Sequence, residues 1–403
     1  MKITHIETLR VMKWPQNIWV QIHTDTGLVG LGETFYNAPG VQGSVLEHFG
    51  PMLIGRNPCE VERHWEAMFR VSEHAGYGGA ELRAISALDM ALWDLKGQAA
   101  GLPVYEMLGG ATRRRVRLYA TSLSHQQPAE IAKGLMDQGI FAIKGDPFIS
   151  FCLESDGQFI SAADIERGLR PVRAIRDAVG DAMEIAIDTH GKWNLPVAMK
   201  LAQAMEPYNI LWFEDPMRMV CPETLKRLQE GTRIPLCISE RLMTRWQFRQ
   251  YIESGAARIV MPDLIWTGGI SETHKIAILA SAHEVPVAPH DCTGPVNMFA
   301  CAQICMSAAN VMIQEYLPVY HQGWYAEVVD PNLDVRDGWL YAPERPGIGT
   351  RLKPEVRGRS DTVIAVCKEA RESYIDHWVA PPGLRSPRME AETQKMREER
   401  GPR

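Results

Sequence analysis

Three carboxylates, Asp188, Glu214 and Glu240, recur at two equal steps of 26 residues, and each closes a short apolar run: AIDTH, LWFED and LCISE. The pattern continues through IVMPD with Asp263, PVAPH with His290 and VMIQE with Glu315, at steps of 23, 27 and 25 residues. Carboxylates brought to one place repel unless a cation lies among them. An oxygen-only ligand set selects Mg²⁺, Mn²⁺ or Ca²⁺ over Zn²⁺. Asp188, Glu214 and Glu240 are therefore the expected metal ligands, and an octahedral Mg²⁺ would keep positions open for water or substrate oxygens. Any one acidic strand end could equally cap a helix or pair with Arg or Lys; the regular spacing of three favours the metal.

Asp263 and His290 end consecutive runs, and a carboxylate beside an imidazole fixes its tautomer and raises its basicity, as a general base needs. His190 lies two residues past Asp188, and strand alternation is expected to return it to the same face, where it suits a second proton-transfer group. Lys144, at the end of FAIKG, can aim its ammonium at a substrate oxygen. Glu315 can support a developing oxyanion or close a salt bridge. His190 and Lys144 taken alone would serve as readily in a surface hydrogen bond or ion pair.

The elements that must position these side chains follow from the same spacing. Short Ile- and Val-rich runs separated by helix-length stretches read as buried parallel strands joined by right-handed crossovers. Such units close into a barrel that gathers every strand C-terminus on one face. The first barrel strand is expected at VRLYATS, residues 116–122, and the second at residues 141–145. The stretch between Asp146 and Ala162 is too polar and glycine-bearing for a crossover helix and is expected as a loop over the barrel mouth. Ahead of the barrel, residues 3–35 read as a β meander, residues 43–53 and 60–71 as helices, and ELRAISALDMALWDLKGQAAG as a long helix stopped at Gly101. The fold class is α/β: an α+β capping module over residues 1–115, a barrel over 116–325, and a segment over 326–403 whose short strands return to the cap before a polar tail from Ser386.

Composition narrows the function classes. The chain has 403 residues, is 45% hydrophobic and carries a net charge of −6 with Lys and Arg scattered, so nucleic acid is not an expected partner. No apolar run approaches the roughly 20 residues that span a bilayer, and MKITHIETLRV alternates where a signal peptide would be continuously apolar, so a cytoplasmic protein without membrane partners is expected. Eight cysteines without a CxxC fit reduced, mostly buried thiols, with Cys301 and Cys305 in the core.

FEDP at residues 213–216, ISER at 238–241, PDLIWTGGISE at 262–272, APH at 288–290 and ALWDLKGQAAGLPVYEMLGG at 91–110 resemble, in order and spacing, the motifs of the enolase superfamily, specifically its mandelate racemase subgroup. The resemblance covers nearly the whole chain. It implies a modified TIM barrel, (β/α)7β, with an α+β cap completed by C-terminal residues, one Mg²⁺, and abstraction of the proton alpha to a carboxylate through an ene-diolate. Lys144-Gly145-Asp146 departs from the Lys-x-Lys pair of mandelate racemase and lacks its second base. Asp188-Thr189-His190-Gly191 is similar to the Asp-x-His pattern of D-galactonate and D-mannonate dehydratases.

That likeness implies that His290, with Asp263, takes the C2 proton and that His190 protonates the departing 3-hydroxyl. The product is then a 2-keto-3-deoxy acid, with Mg²⁺, Lys144 and Glu315 supporting the developing charge. Trp14 and Asn17 in one cap loop and His74 and Tyr77 in another are expected to close over a sugar-acid substrate, with Asp146 and Arg241 as further contacts. An acid-sugar epimerase or cycloisomerase using His290, or a family member kept for binding or regulation, are the alternatives. The resemblance also suggests a homo-oligomer.

Overall fold

The opening alternation folds as β1 (Ile3–Val11), β2 (Asn17–Thr24) and β3 (Val29–Phe35), an antiparallel meander in that order. The computed structural model describes residues 1–76, 78–219, 221–370, 391 and 395; Tyr77, the His74 side chain and nearly all of the 386–403 tail lie outside the described residues. The meander buries Ile6, Ile18, Val20 and Leu31 and lies against the helix Gly79–Ala100. That close approach depends on Gly32, where a Cβ would sit 1.8 Å from the Ala87 carbonyl oxygen. The helix stops at Gly101, whose φ of +68° is the left-handed cap that glycine adopts without steric cost.

The barrel runs through β4 (Arg115–Thr121), β5 (Ala142–Gly145), β6 (Glu184–Asp188), β7 (Ile210–Glu214), β8 (Leu236–Ile238) and β9 (Ile259–Val260), all parallel neighbours. The seventh position is reduced to bridges: Val287 links Val260 to Val311, and Asp263 pairs with His290. β10 (Gln314–Tyr316) closes the ring on β4. Helices 128–137, 162–179, 195–205, 222–230, 244–253, 269–281 and 295–307 lie between successive strands, whereas only the four-residue helices Pro318–His321 and Tyr325–Val328 directly follow β10. This is the (β/α)7β arrangement. Tyr119, Ala186, Trp212, Cys237, Met261 and Ala288 fill the lumen, so the barrel is a packed floor beneath its mouth.

Two expectations are corrected. The 146–162 stretch holds a helix, Ile149–Ser155, built on Phe148 and Cys152, which are buried one turn apart. Its far end lies along the loop after β6, where the Asn194 amide donates to the Gly157 carbonyl at 3.1 Å. The second correction lies after β11 (Val329–Asp330), where the hairpin of β12 (Val335–Arg336) and β13 (Trp339–Tyr341) joins β4 antiparallel instead of the cap. The Arg115 and Arg117 guanidinium groups both lie over the Trp339 ring, at 4.2 and 4.4 Å. The chain returns to the cap further on. Gly347 exchanges backbone hydrogen bonds with Leu102 and Val104, and β15 (Thr362–Cys367), which follows β14 (Arg351–Leu352), adds to the edge of β1.

All eight cysteines are free, with Cys301 and Cys305 buried. No helix among the described residues is long and apolar enough to cross a membrane.

Candidate active site

Lys144, Asp188, Glu214 and Glu315 lie at or next to the C-terminal ends of β5, β6, β7 and β10, Asp146 and His190 follow β5 and β6, and Glu240, Asp263 and His290 follow β8, β9 and the bridged seventh position. A cavity of ≈ 290 Å³ at the barrel mouth is lined by Lys144, Asp146, Asp188, His190, His290 and Glu315, together with Thr121, Leu123 and Cys292. Lys144 is buried, with its ammonium 2.8 Å from Glu214 and 3.1 Å from Glu315. Burial would discharge this amine, but the two carboxylates outweigh it and keep it cationic. Glu315 also accepts hydrogen bonds from the Thr121 hydroxyl and the Asp291 amide. Burial works against its ionisation, yet Lys144 and His290 hold it down at about 2.

His290 Nδ1 lies 2.6 Å from Asp263 Oδ2, while Asp263 Oδ1 accepts from the Ile265 amide at 2.9 Å. The pair is therefore fixed by backbone, and Nε2 faces the cavity, 3.4 Å from Cys292 Sγ and 3.8 Å from Glu315. Desolvation lowers the basicity of this buried imidazole, but Cys292, Glu315, Glu240 and Asp263 raise it well above the ordinary histidine range.

His190 reaches the cavity by another route than strand alternation, because β6 ends at Asp188 and His190 takes a left-handed φ of +53°. Its amide donates to Asp188 Oδ1 at 2.7 Å, and its ring nitrogens lie 3.0 Å from Asp146 and 3.1 Å from Asp188. Burial alone would lower its basicity, but these carboxylates reverse the shift and favour the imidazolium. Asp146 is also bonded to Lys192 at 3.1 Å.

The three expected metal ligands stand at adjacent strand tips, but the structure does not draw them into one cluster. Among the described residues, the only three ligand-type side chains whose donor atoms lie within 4.8 Å of one another are His5, Glu7 and His23, on the cap. Asp188 engages His190, Glu214 engages Lys144 and the Trp212 indole at 3.0 Å, and Glu240 accepts from Ser239, with His290 4.0 Å away. Burial raises Asp188, and it pushes Glu214 up to about 7, with the other carboxylates adding to the shift. Asp215, bonded to the Ser239 amide and hydroxyl, is raised further. So much buried acid at one place is chemistry that suits a hard divalent cation.

The remaining expected contacts divide. Arg241 turns to Asp215 at 3.4 Å. Asn17 is buried and donates to the Thr293 carbonyl at 2.9 Å, holding the loop after His290. Trp14 stacks on Trp324 at 4.9 Å, joining the cap to the segment after β10. Spacing along the chain did not point to Trp266, whose ring lies 5.5 Å from that of His290 and whose indole donates to the Phe35 carbonyl at 3.1 Å. Arg83 lies 5.0 Å from the same ring, so cap residues roof the His290 side of the mouth.

Residues 127–356 match the family described as enolase C-terminal domain-like, and residues 8–109 match the mandelate racemase / muconate lactonizing enzyme N-terminal domain. The chain belongs to the mandelate racemase subgroup of the enolase superfamily. Within that superfamily, a D-galactonate dehydratase of Variovorax paradoxus is 36% identical over 365 residues, covering 88% of this chain and 93% of the relative. A D-galactonate dehydratase of Pectobacterium atrosepticum is 32% identical, covering 95% and 99%. The crystal structure of an enolase of the mandelate racemase subgroup from Agrobacterium tumefaciens superposes with a TM-score of 0.86 at 38% identity, over 91% of this chain and 99% of that one.

Proposed function

We propose that this enolase-superfamily protein is a Mg²⁺-dependent sugar-acid dehydratase, a hydro-lyase converting an aldonate or aldarate to a 2-keto-3-deoxy acid. The observation that carries the reading is one cavity lined by two histidines, each tied to its own carboxylate: His290 to Asp263 and His190 to Asp146. Relatives named D-galactonate dehydratase over most of their length support the same reaction class.

Asp188, Glu214 and Glu240 are the residues that would hold the ion. When bound, it supplies the positive charge that offsets the second negative charge of the ene-diolate. His290, oriented by Asp263, removes the C2 proton once it has given up its own, a loss that a cation held among the neighbouring carboxylates would favour. Buried Lys144, fixed between Glu214 and Glu315, gives the mouth a permanent cation for a substrate oxygen. His190, kept protonated by Asp146 and Asp188, passes its proton to the leaving 3-hydroxyl, which departs as water. The enol that remains ketonises to the 2-keto-3-deoxy acid. The cap residues around Trp266 exclude bulk water on the His290 side.

The test is a screen of mono- and diacid sugars with Mg²⁺, scored for 2-keto-3-deoxy products. A dehydratase gives such a product from at least one of them. Deuterium entering C2 from solvent with the C3 hydroxyl retained would instead identify an epimerase or cycloisomerase. Binding without exchange or product across the library would leave a binding member of the family.

A further inference from the structure

The cap carries a second group of ligand-type side chains, far in sequence from the barrel-mouth acids. Alternation places His5 and Glu7 on one face of β1, and His23 on β2 is registered directly opposite His5. The donor atoms of all three lie within 4.8 Å of one another. His23 Nε2 is 3.2 Å from Glu7 Oε2 and His5 Nε2 is 3.8 Å from Glu7 Oε1, while the two imidazoles stack with centroids 4.1 Å apart. A tetrahedral ion with bonds of about 2.0–2.1 Å holds its ligands roughly 3.3–3.4 Å apart, so His23 and Glu7 are already near that spacing, and the stacked His5 ring must tilt away from His23 to aim Nε2 at the same ion.

The Thr4 hydroxyl reaches both the His23 carbonyl at 3.2 Å and His5 Nδ1 at 3.1 Å, so the far nitrogen of His5 is held while Nε2 faces Glu7. Such a second contact on a ligating imidazole is a usual support of metal sites.

We propose that His5, Glu7 and His23 form a second metal site, for a borderline divalent ion of the Zn²⁺ type. Two imidazoles and one carboxylate select such an ion over the hard Mg²⁺ suited to the barrel mouth, and water completes the coordination. The competitor is Arg357, whose guanidinium lies 2.6 Å from Glu7 Oε2 and 3.1 Å from Gln21. Ion and guanidinium draw on the same carboxylate, so metal binding loosens the tie between the 354–358 helix and the sheet. His23 and Arg357 both line the ≈ 700 Å³ cavity between the meander and residues 345–352, which gives the ion access from solvent.

The experiment titrates Zn²⁺ into the full chain, stripped of metal and held in excess Mg²⁺, by calorimetry, with Co²⁺ absorption as a second readout of imidazole ligation. One Zn²⁺ per chain is expected. His5→Gln and His23→Gln should each weaken it by at least about tenfold, with folding checked by circular dichroism. Arg357→Gln should tighten it, and Asp188→Asn should leave it unchanged. Absence of Zn²⁺ binding in excess Mg²⁺, binding that persists in His23→Gln, or binding lost only in Asp188→Asn would overturn the assignment.

Discussion

His290 and His190 line one cavity on different supports. Asp263 holds His290 Nδ1 at 2.6 Å and leaves Nε2 3.8 Å from Glu315, whereas His190 sits 3.0 Å from Asp146 and 3.1 Å from Asp188. Neighbouring carboxylates raise the basicity of both imidazoles, so the division into base and acid is one for experiment to read. His290→Asn should cut exchange of the substrate C2 proton with solvent by roughly 10²- to 10⁴-fold, the range of a lost general base. His190→Asn should slow 3-hydroxyl loss far more than C2 exchange. Both are read from one experiment in D₂O that follows deuterium incorporation and 2-keto product together. Equal loss of both signals in His190→Asn would refute the division of labour.

At the scale of elements, packing of the cap meander on the helix Gly79–Ala100 sets where the roof of the site lies. Since a Cβ at Gly32 would stand 1.8 Å from the Ala87 carbonyl oxygen, Gly32→Ala must push helix and sheet apart. Overpacking of this kind costs about 1–3 kcal/mol, occasionally more, and should appear as a lower urea midpoint, together with weaker protection of the 79–100 amides from hydrogen exchange. An unchanged midpoint would mean the contact relaxes freely. The same scale shows what could be read from the chain. The strand tips were legible because each apolar run and its terminal acid are local, and equal steps report one repeated βα unit. Trp266 and Phe35 meet across 231 residues, and the β13 pairing with β4 joins residues as far apart as 115 and 341; no local period encodes such contacts. The helix Ile149–Ser155 was hidden because Ile149 and Leu153 are exposed and only Phe148 and Cys152 are buried, so its apolar residues do not mark one face. His190 was placed correctly in the mouth on an incorrect premise, since a left-handed turn, not strand alternation, brings it there.

Across the whole molecule, cap and barrel are joined through buried polar groups, and one of them couples the joint to pH. The Glu33 side chain, from β3, is fully buried and accepts from the Val296 and Asn297 amides, at 2.7 and 2.9 Å, at the start of the helix Pro295–Ser307. Asn297 in turn donates to Asp291, next to His290, at 3.1 Å. Burial pushes the Glu33 carboxyl from 4.5 up to about 8, against the opposing pull of those amides and of Trp19 and Asn17. Below about 4.5, folded and unfolded chains both hold this proton. Between 4.5 and 8 only the folded protein does, so the stability tied to Glu33 is lost as pH rises through that window. Glu33→Gln keeps an acceptor for the amides and removes the ionisation. Urea unfolding at a series of pH values should therefore show the variant gaining on the wild type from about pH 5 to about pH 8, by on the order of a few kcal/mol, and then running parallel to it. Parallel curves across the whole range would show that helix-end amides keep Glu33 ionised at this joint, and that cap docking is indifferent to its protonation.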